Sequence, residues 1–169
     1  MGPQQLVSCD STSYGCDGGD TVTAYEYIQK TGGLERERKY PYTSQDGGTQ
    51  DCALDDNEKF VVTIDDYHVV GSEEDMVNYV RSTGPLSVCV SAEKWMTYKS
   101  GVLTYCGDHL PVDHCVQVVG INKAEGYWIV RNQWSVNWGE EGYIYIQEGH
   151  NTCQMAAQPT YLDVSAVSN

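Results

Sequence analysis

Residues 112–139, VDHCVQVVGINKAEGYWIVRNQWSVNWG, contain the pattern around which the rest of the chain is organised. Asp113-His114 opens an apolar, β-branched run from Cys115 to Ile121, and a second run, Tyr127 to Arg131, delivers Asn132-Gln133-Trp134 eighteen residues after the histidine. Both runs read as strands. A histidine beside a carboxylate is a common accident of sequence. A histidine at the head of an apolar run, with an amide and two indoles (Trp134, Trp138) placed to return to it, is a candidate catalytic pair: His114 with Asn132.

Working outward, Tyr143–Gln147 and a short stretch near Tyr161–Val164 also read as strands. On the N-terminal side, Leu86–Val90 is a strand and Lys94–Lys99 a short helix or turn. Ser72 with Asp75 three residues on predicts a capped helix through about Ser82, stopped by Gly84-Pro85. Phe60–Ile64 predicts another strand. Asp20 can cap a helix over roughly Thr21–Lys30 that ends at Gly32-Gly33. Glu35–Gln50, around Tyr40-Pro41-Tyr42, reads as loop, and the first twenty residues, dense in Gly, Ser, Asp and Cys, read as a turn-rich segment. Helices early and strands late predict an α+β protein with a mostly antiparallel second half. The expected division is residues 1–68, a helical lobe, and 69–169, a β-rich lobe carrying His114 and Asn132.

The chain has 169 residues, with ten basic against twenty-four acidic side chains and a net charge of -14. That balance argues against nucleic acid or an anionic membrane as partner, and no apolar run reaches the length of a membrane span. Seven cysteines, at 9, 16, 52, 89, 106, 115 and 153, include no C-x-x-C pair, so a disulfide framework in an oxidising compartment is expected rather than a metal site. No cofactor is implied. Seven is odd, so one thiol is free or pairs outside these residues. The start, MGPQQLVSCDST, has neither the basic nor the apolar region of a signal peptide, and a disulfide-rich chain beginning so reads as truncated.

GCDGG at 15–19, YPY at 40–42, DHCVQVVG at 113–120 and RNQWSVNWGEEGYIYI at 131–146 resemble, in order and spacing, the papain and cathepsin-L-like cysteine peptidases. The resemblance covers nearly the whole chain and implies their two-lobed fold, with a truncated helical lobe and an antiparallel, barrel-like second lobe. It implies that His114 pairs with a catalytic thiolate, that Asn132 orients the imidazole, that Trp134 shields their hydrogen bond and that Trp138 walls the leaving-group side. Gly18 and Gly19 resemble the glycine pair that aligns an extended substrate by strand-like hydrogen bonds. Thr21, Cys89, Cys115 and Gln158 fall where the family receives the second residue before the scissile bond, and Asp113 is grouped with them. Gln158, polar but uncharged, suits apolar side chains.

By the same resemblance Cys9 should pair with Cys52 and Cys106 with Cys153. A third bridge, Cys89–Cys115, is expected on adjacent strands, the alternative being two buried small hydrophobes. The partner of Cys16 would lie upstream. So would the nucleophile: the family motif C-G-[SA]-C-[WY] precedes the histidine by roughly 130 to 150 residues, and no C-G-x-C occurs here. The expectation is a cysteine endopeptidase by family whose present residues are inactive alone, an N-terminal segment supplying the thiol. The partner of the intact enzyme would be an extended peptide or protein substrate, and its location lysosomal or extracellular. The alternatives are a non-catalytic peptide-binding homologue and a processed two-chain arrangement. Ser135 stands where relatives carry glycine, so a positive φ there would be strained.

Overall fold

The computed structural model describes residues 1–55, 60–107 and 110–167. In chain order the elements are helices α1 (Pro3–Cys9) and α2 (Thr21–Thr31), strand β1 (Val62–Val69), helix α3 (Glu73–Ser82), and strands β2 (Leu86–Val90), β3 (Val102–Leu103), β4 (His114–Asn122), β5 (Tyr127–Arg131), β6 (Tyr143–Gln147) and β7 (Thr160–Ala166). The fold class is α+β. The chain divides into two compact units, Met1–Tyr67 with Leu162–Asn169, and His68–Tyr161. The stretch from 162 onward, read from sequence with the β-rich lobe, clusters instead with the first unit. Strand pairing is the reason: β7 is the hydrogen-bonded neighbour of β1, Ser165 Oγ donates to Asp65, and Leu162 joins that unit's core.

In the first unit Asp20 caps α2 by accepting from Val22 N at 2.8 Å, and left-handed Gly32 (φ 92°) closes it. Tyr25 and Ile28, one turn apart, bury with Leu34 and Ile64. The turn-rich reading of the first twenty residues fails at Pro3–Cys9, which is helical. Pro3 sits in the first turn, where its missing N–H leaves no bond unmade. Long-range contacts then hold the segment. Gln5, fully buried, accepts from Glu35 N and donates to Gly33 O, while Gln4 accepts from Thr43 N and Ser44 N. Local composition carries no trace of such partners.

In the second unit Ser72 accepts from Asp75 N at 3.1 Å, and Glu73, Glu74 and Asp75 place negative charge on the first turn of α3. Strand order runs β7, β2, β4, β5, β6, β3, antiparallel except for the β3–β6 edge. The two-residue β3 was not anticipated, being too short for any period to show. β1 begins two residues later than expected and runs on through exposed Asp65 and Asp66, since backbone pairing does not require an apolar outer face. Leu86, Val88, Val90, Val118, Trp128, Val130, Ile144 and Ile146 are fully buried and form one continuous core. Glu73 ties this sheet to a turn, accepting from Trp128 Nε1, Gly149 N and Asn151 N. No helix among the described residues is long and apolar enough to cross a membrane.

Candidate active site

His114 is the first residue of β4, paired with Val90 of β2, so its backbone is fixed by a ladder in which Leu86, Val88, Val90 and Val118 on the same face are fully buried. Asn132 follows the last residue of β5, and its N–H donates to Gly142 O at 3.0 Å. Two adjacent antiparallel strands therefore place the two side chains together, and His114 Nε2 lies 2.8 Å from Asn132 Oδ1. An amide oxygen can only accept, so the ring proton resides on Nε2 and the lone pair on Nδ1, free to take a proton from an acid on the opposite side. Asn132 is only 9% exposed, which shelters this bond from competing water.

Aromatic rings complete the setting. Trp134 stacks on the His114 ring with centroids 5.3 Å apart, and Trp138 stands against Trp134 at 5.1 Å and 78°. Trp95, fully buried, meets the imidazole edge to face at 6.0 Å, and its carbonyl accepts from Trp138 Nε1 at 3.2 Å. Sequence reasoning missed Trp95. Its only local signal was an aromatic in an expected short turn, and its partners lie nineteen to forty-three residues onward.

The turn beyond Asn132 uses positive φ at Ser135 (77°), Gly139 (58°) and Gly142 (93°). A Cβ on Gly139 would come within 2.5 Å of Tyr143 O, so that position admits only glycine, whereas Ser135 is an L-residue held in the left-handed region. The Tyr98 ring packs on Trp138. Burial is the main cause that pushes its phenol above the ordinary range, a hydrogen bond from Tyr145 N opposes it, and the nearby Glu140 carboxylate adds to it. Its hydroxyl donates to Gly101 O at 2.6 Å.

The structure thus brings His114, Asn132, Trp134 and Trp138 into one group. Cys89 and Cys115 are directly opposed on β2 and β4 and are bridged; Cys9–Cys52 and Cys106–Cys153 are bridged as well, and Cys16 is an exposed free thiol. Asp113 accepts from Ala92 N at 2.7 Å, closing the loop that leads into β4. Gln158 is exposed in the approach to β7. Gly18, Gly19 and Thr21 belong to the first unit: both glycines are exposed, Gly18 has φ 125° with open space where a Cβ would stand, and Thr21 begins α2. No group of three or more potential metal ligands occurs among the described residues.

The family model described as papain family cysteine protease matches residues 1–162. The chain belongs to that family. Among its relatives are a viral cathepsin of Choristoneura fumiferana defective polyhedrosis virus (39% identical, covering 90% of this chain and 47% of that protein), cysteine proteinase 2 of Leishmania pifanoi (38%, covering 94% and 37%) and a probable cysteine protease of Arabidopsis thaliana (38%, covering 95% and 47%). The chain spans between about a third and a half of the length of these papain-family relatives.

Proposed function

We propose that these residues carry the acid-base half of a papain-type endopeptidase. The observation that carries the proposal is the 2.8 Å His114–Asn132 bond beneath the Trp134 ring. In this reading His114 Nδ1 takes the proton of a cysteine thiol, giving a thiolate-imidazolium pair. The thiolate attacks the scissile carbonyl, and the imidazolium returns the proton to the leaving amine, leaving an acyl-thioester. Deacylation reverses the roles, with His114 drawing a proton from water. Asn132 keeps the ring in the productive tautomer throughout, and Trp138 borders the departing segment.

The thiolate comes from polypeptide outside these residues, so residues 1–169 alone do not cleave peptides. The substrate is an extended peptide, aligned along Gly18-Gly19; the open space where a Cβ would stand on Gly18 supports that role. Thr21, Cys89, Asp113, Cys115 and Gln158 are the side chains assigned to receive it. The three disulfides support a lysosomal or extracellular location.

An epoxide probe specific for a catalytic thiolate tests the reading. The 169-residue chain takes up no label; a protein extended in frame through a C-G-x-C-W segment is labelled stoichiometrically, and His114→Ala in that protein abolishes labelling. Stoichiometric labelling of the 169-residue chain, or an extended protein that stays unlabelled, overturns it.

A further inference from the structure

One residue beyond His114, β4 is covalently tied to β2. Cys115 and Cys89 are register partners, as are their neighbours His114 and Val90. Side chains alternate along a strand, so the bridge lies on the face of the sheet opposite to His114 and reaches it only through backbone. The inner-face partners Leu86–Val118 and Val88–Val116 hold the remainder of the ladder without help from the bridge. At the last rung, where the strand begins and the imidazole departs, the bridge acts together with Asp113, whose N–H donates to Val90 O at 3.0 Å and whose carboxylate accepts from Ala92 N.

Accessibility separates this bridge from its neighbour in the same unit. Cys115 is half-buried, with its partner Cys89 8% exposed, whereas both ends of the other bridge, Cys106 and Cys153, are 4% and 5% exposed.

We propose that Cys89 and Cys115 are positioning residues for His114, and that their bridge makes the setting of the imidazole sensitive to dithiol reductants. A dithiol's thiolate attacks Cys115 Sγ, on the more exposed residue of the pair, and Cys89 leaves as a thiolate that is then protonated. The second thiol of the reductant closes its own disulfide, releasing Cys115. Two electrons and two protons pass to the protein, one cystine becomes two cysteines, and the reductant becomes a cyclic disulfide. The freed strand end opens more often, and the His114–Asn132 bond opens with it. The proposal rests on the reading of His114 as a general base, because only then does ring setting matter for turnover.

The test follows the hydrogen-bonded Nε2 proton of His114 by NMR in the full chain, with solvent exchange as the readout. Wild type is compared in oxidised form and after graded dithiothreitol, at levels where mass spectrometry shows Cys106–Cys153 intact. The companion variant carries Cys89→Val with Cys115→Ala. Exchange should rise about tenfold on reduction of wild type, as local opening becomes easier, and be fast in the variant with or without reductant. Equal exchange in all samples overturns the proposal, as does reduction of Cys89–Cys115 only together with Cys106–Cys153. Where the variant does not fold, the wild-type titration decides alone. Failure of the peptidase reading shows in probe labelling, which this assay does not use.

Discussion

Among the described residues, seventeen buried side chains form one nearly all-apolar cluster in the His68–Tyr161 unit, running from Val70 to Met155. In the first unit the corresponding cluster is Tyr25, Ile28, Leu34 and Ile64, and beside these four the polar Gln4, Gln5, Asp10, Glu35 and Ser44 are buried too. In the second unit the buried polar residues Ser91, Asn132, Thr152 and Thr160 are few against its apolar cluster. An apolar interior is non-directional and close-packed, so it resists deformation as a whole. A polar interior depends on individual donors and acceptors, each costly to leave unmade. His114 stands on the first kind. Tolerance of a sub-ångström geometry between His114 and Asn132 calls for a platform that moves little, and the sheet of fully buried aliphatic side chains beneath them supplies it.

The contrast predicts how each unit fails. The largest effect is expected for Trp95→Ala, which empties a fully buried site and removes the indole against His114, Trp134 and Trp138; chemical denaturation should show a loss of about 3–5 kcal/mol. In the first unit, Gln5→Ala strips partners from Glu35 N and Gly33 O. A loss of about 1–3 kcal/mol is expected by the same measurement, and an equal loss for Gln5→Leu would show that hydrogen bonding rather than volume is at stake.

Asp10 sharpens the comparison through pH. Burial raises its carboxyl, but hydrogen bonds from the side chains and backbone of Ser13 and Thr12 outweigh this and hold it below the ordinary 3.8. A depressed carboxyl adds stability that is present above its unfolded value and lost as pH falls through the folded one, so the contribution disappears in acid below 3.8. Asp10→Asn should cost about 0.5–1.5 kcal/mol near neutrality and flatten the acid limb of the stability curve. A variant whose acid limb matches wild type would remove Asp10 from the account. The smallest effect is a gain. Ser135→Gly relieves an exposed residue held at φ 77° and should stabilise by about 0.5–1 kcal/mol, the lost hydrogen bond from Asn137 N subtracting from it.

Much of this was legible in advance because it is local. The Asp20 and Ser72 caps, the strand at Leu86–Val90 and the two strands flanking residues 122–127 depend on residues within a few positions of one another. Ser135 was flagged for strain because it stands where the resembled family carries glycine. Helix α1 and Trp95 were not legible, since the helix is held by Gln4 and Gln5 reaching residues 33–44, and Trp95 acquires its role from a histidine nineteen residues later.

The sequence by itself determined the α+β class and the candidate pair His114 and Asn132, while the Cys89–Cys115 bridge was expected through the family resemblance, which puts the two cysteines on neighbouring strands. Tertiary structure alone decided that β7 from Leu162 onward belongs with the first unit, that Trp95 underlies the imidazole, and that the bridge sits one rung from it on the far face of the sheet. Those facts concern which strand pairs with which and which face a side chain takes. They are fixed by burial summed over the whole unit, and no window of sequence contains that sum.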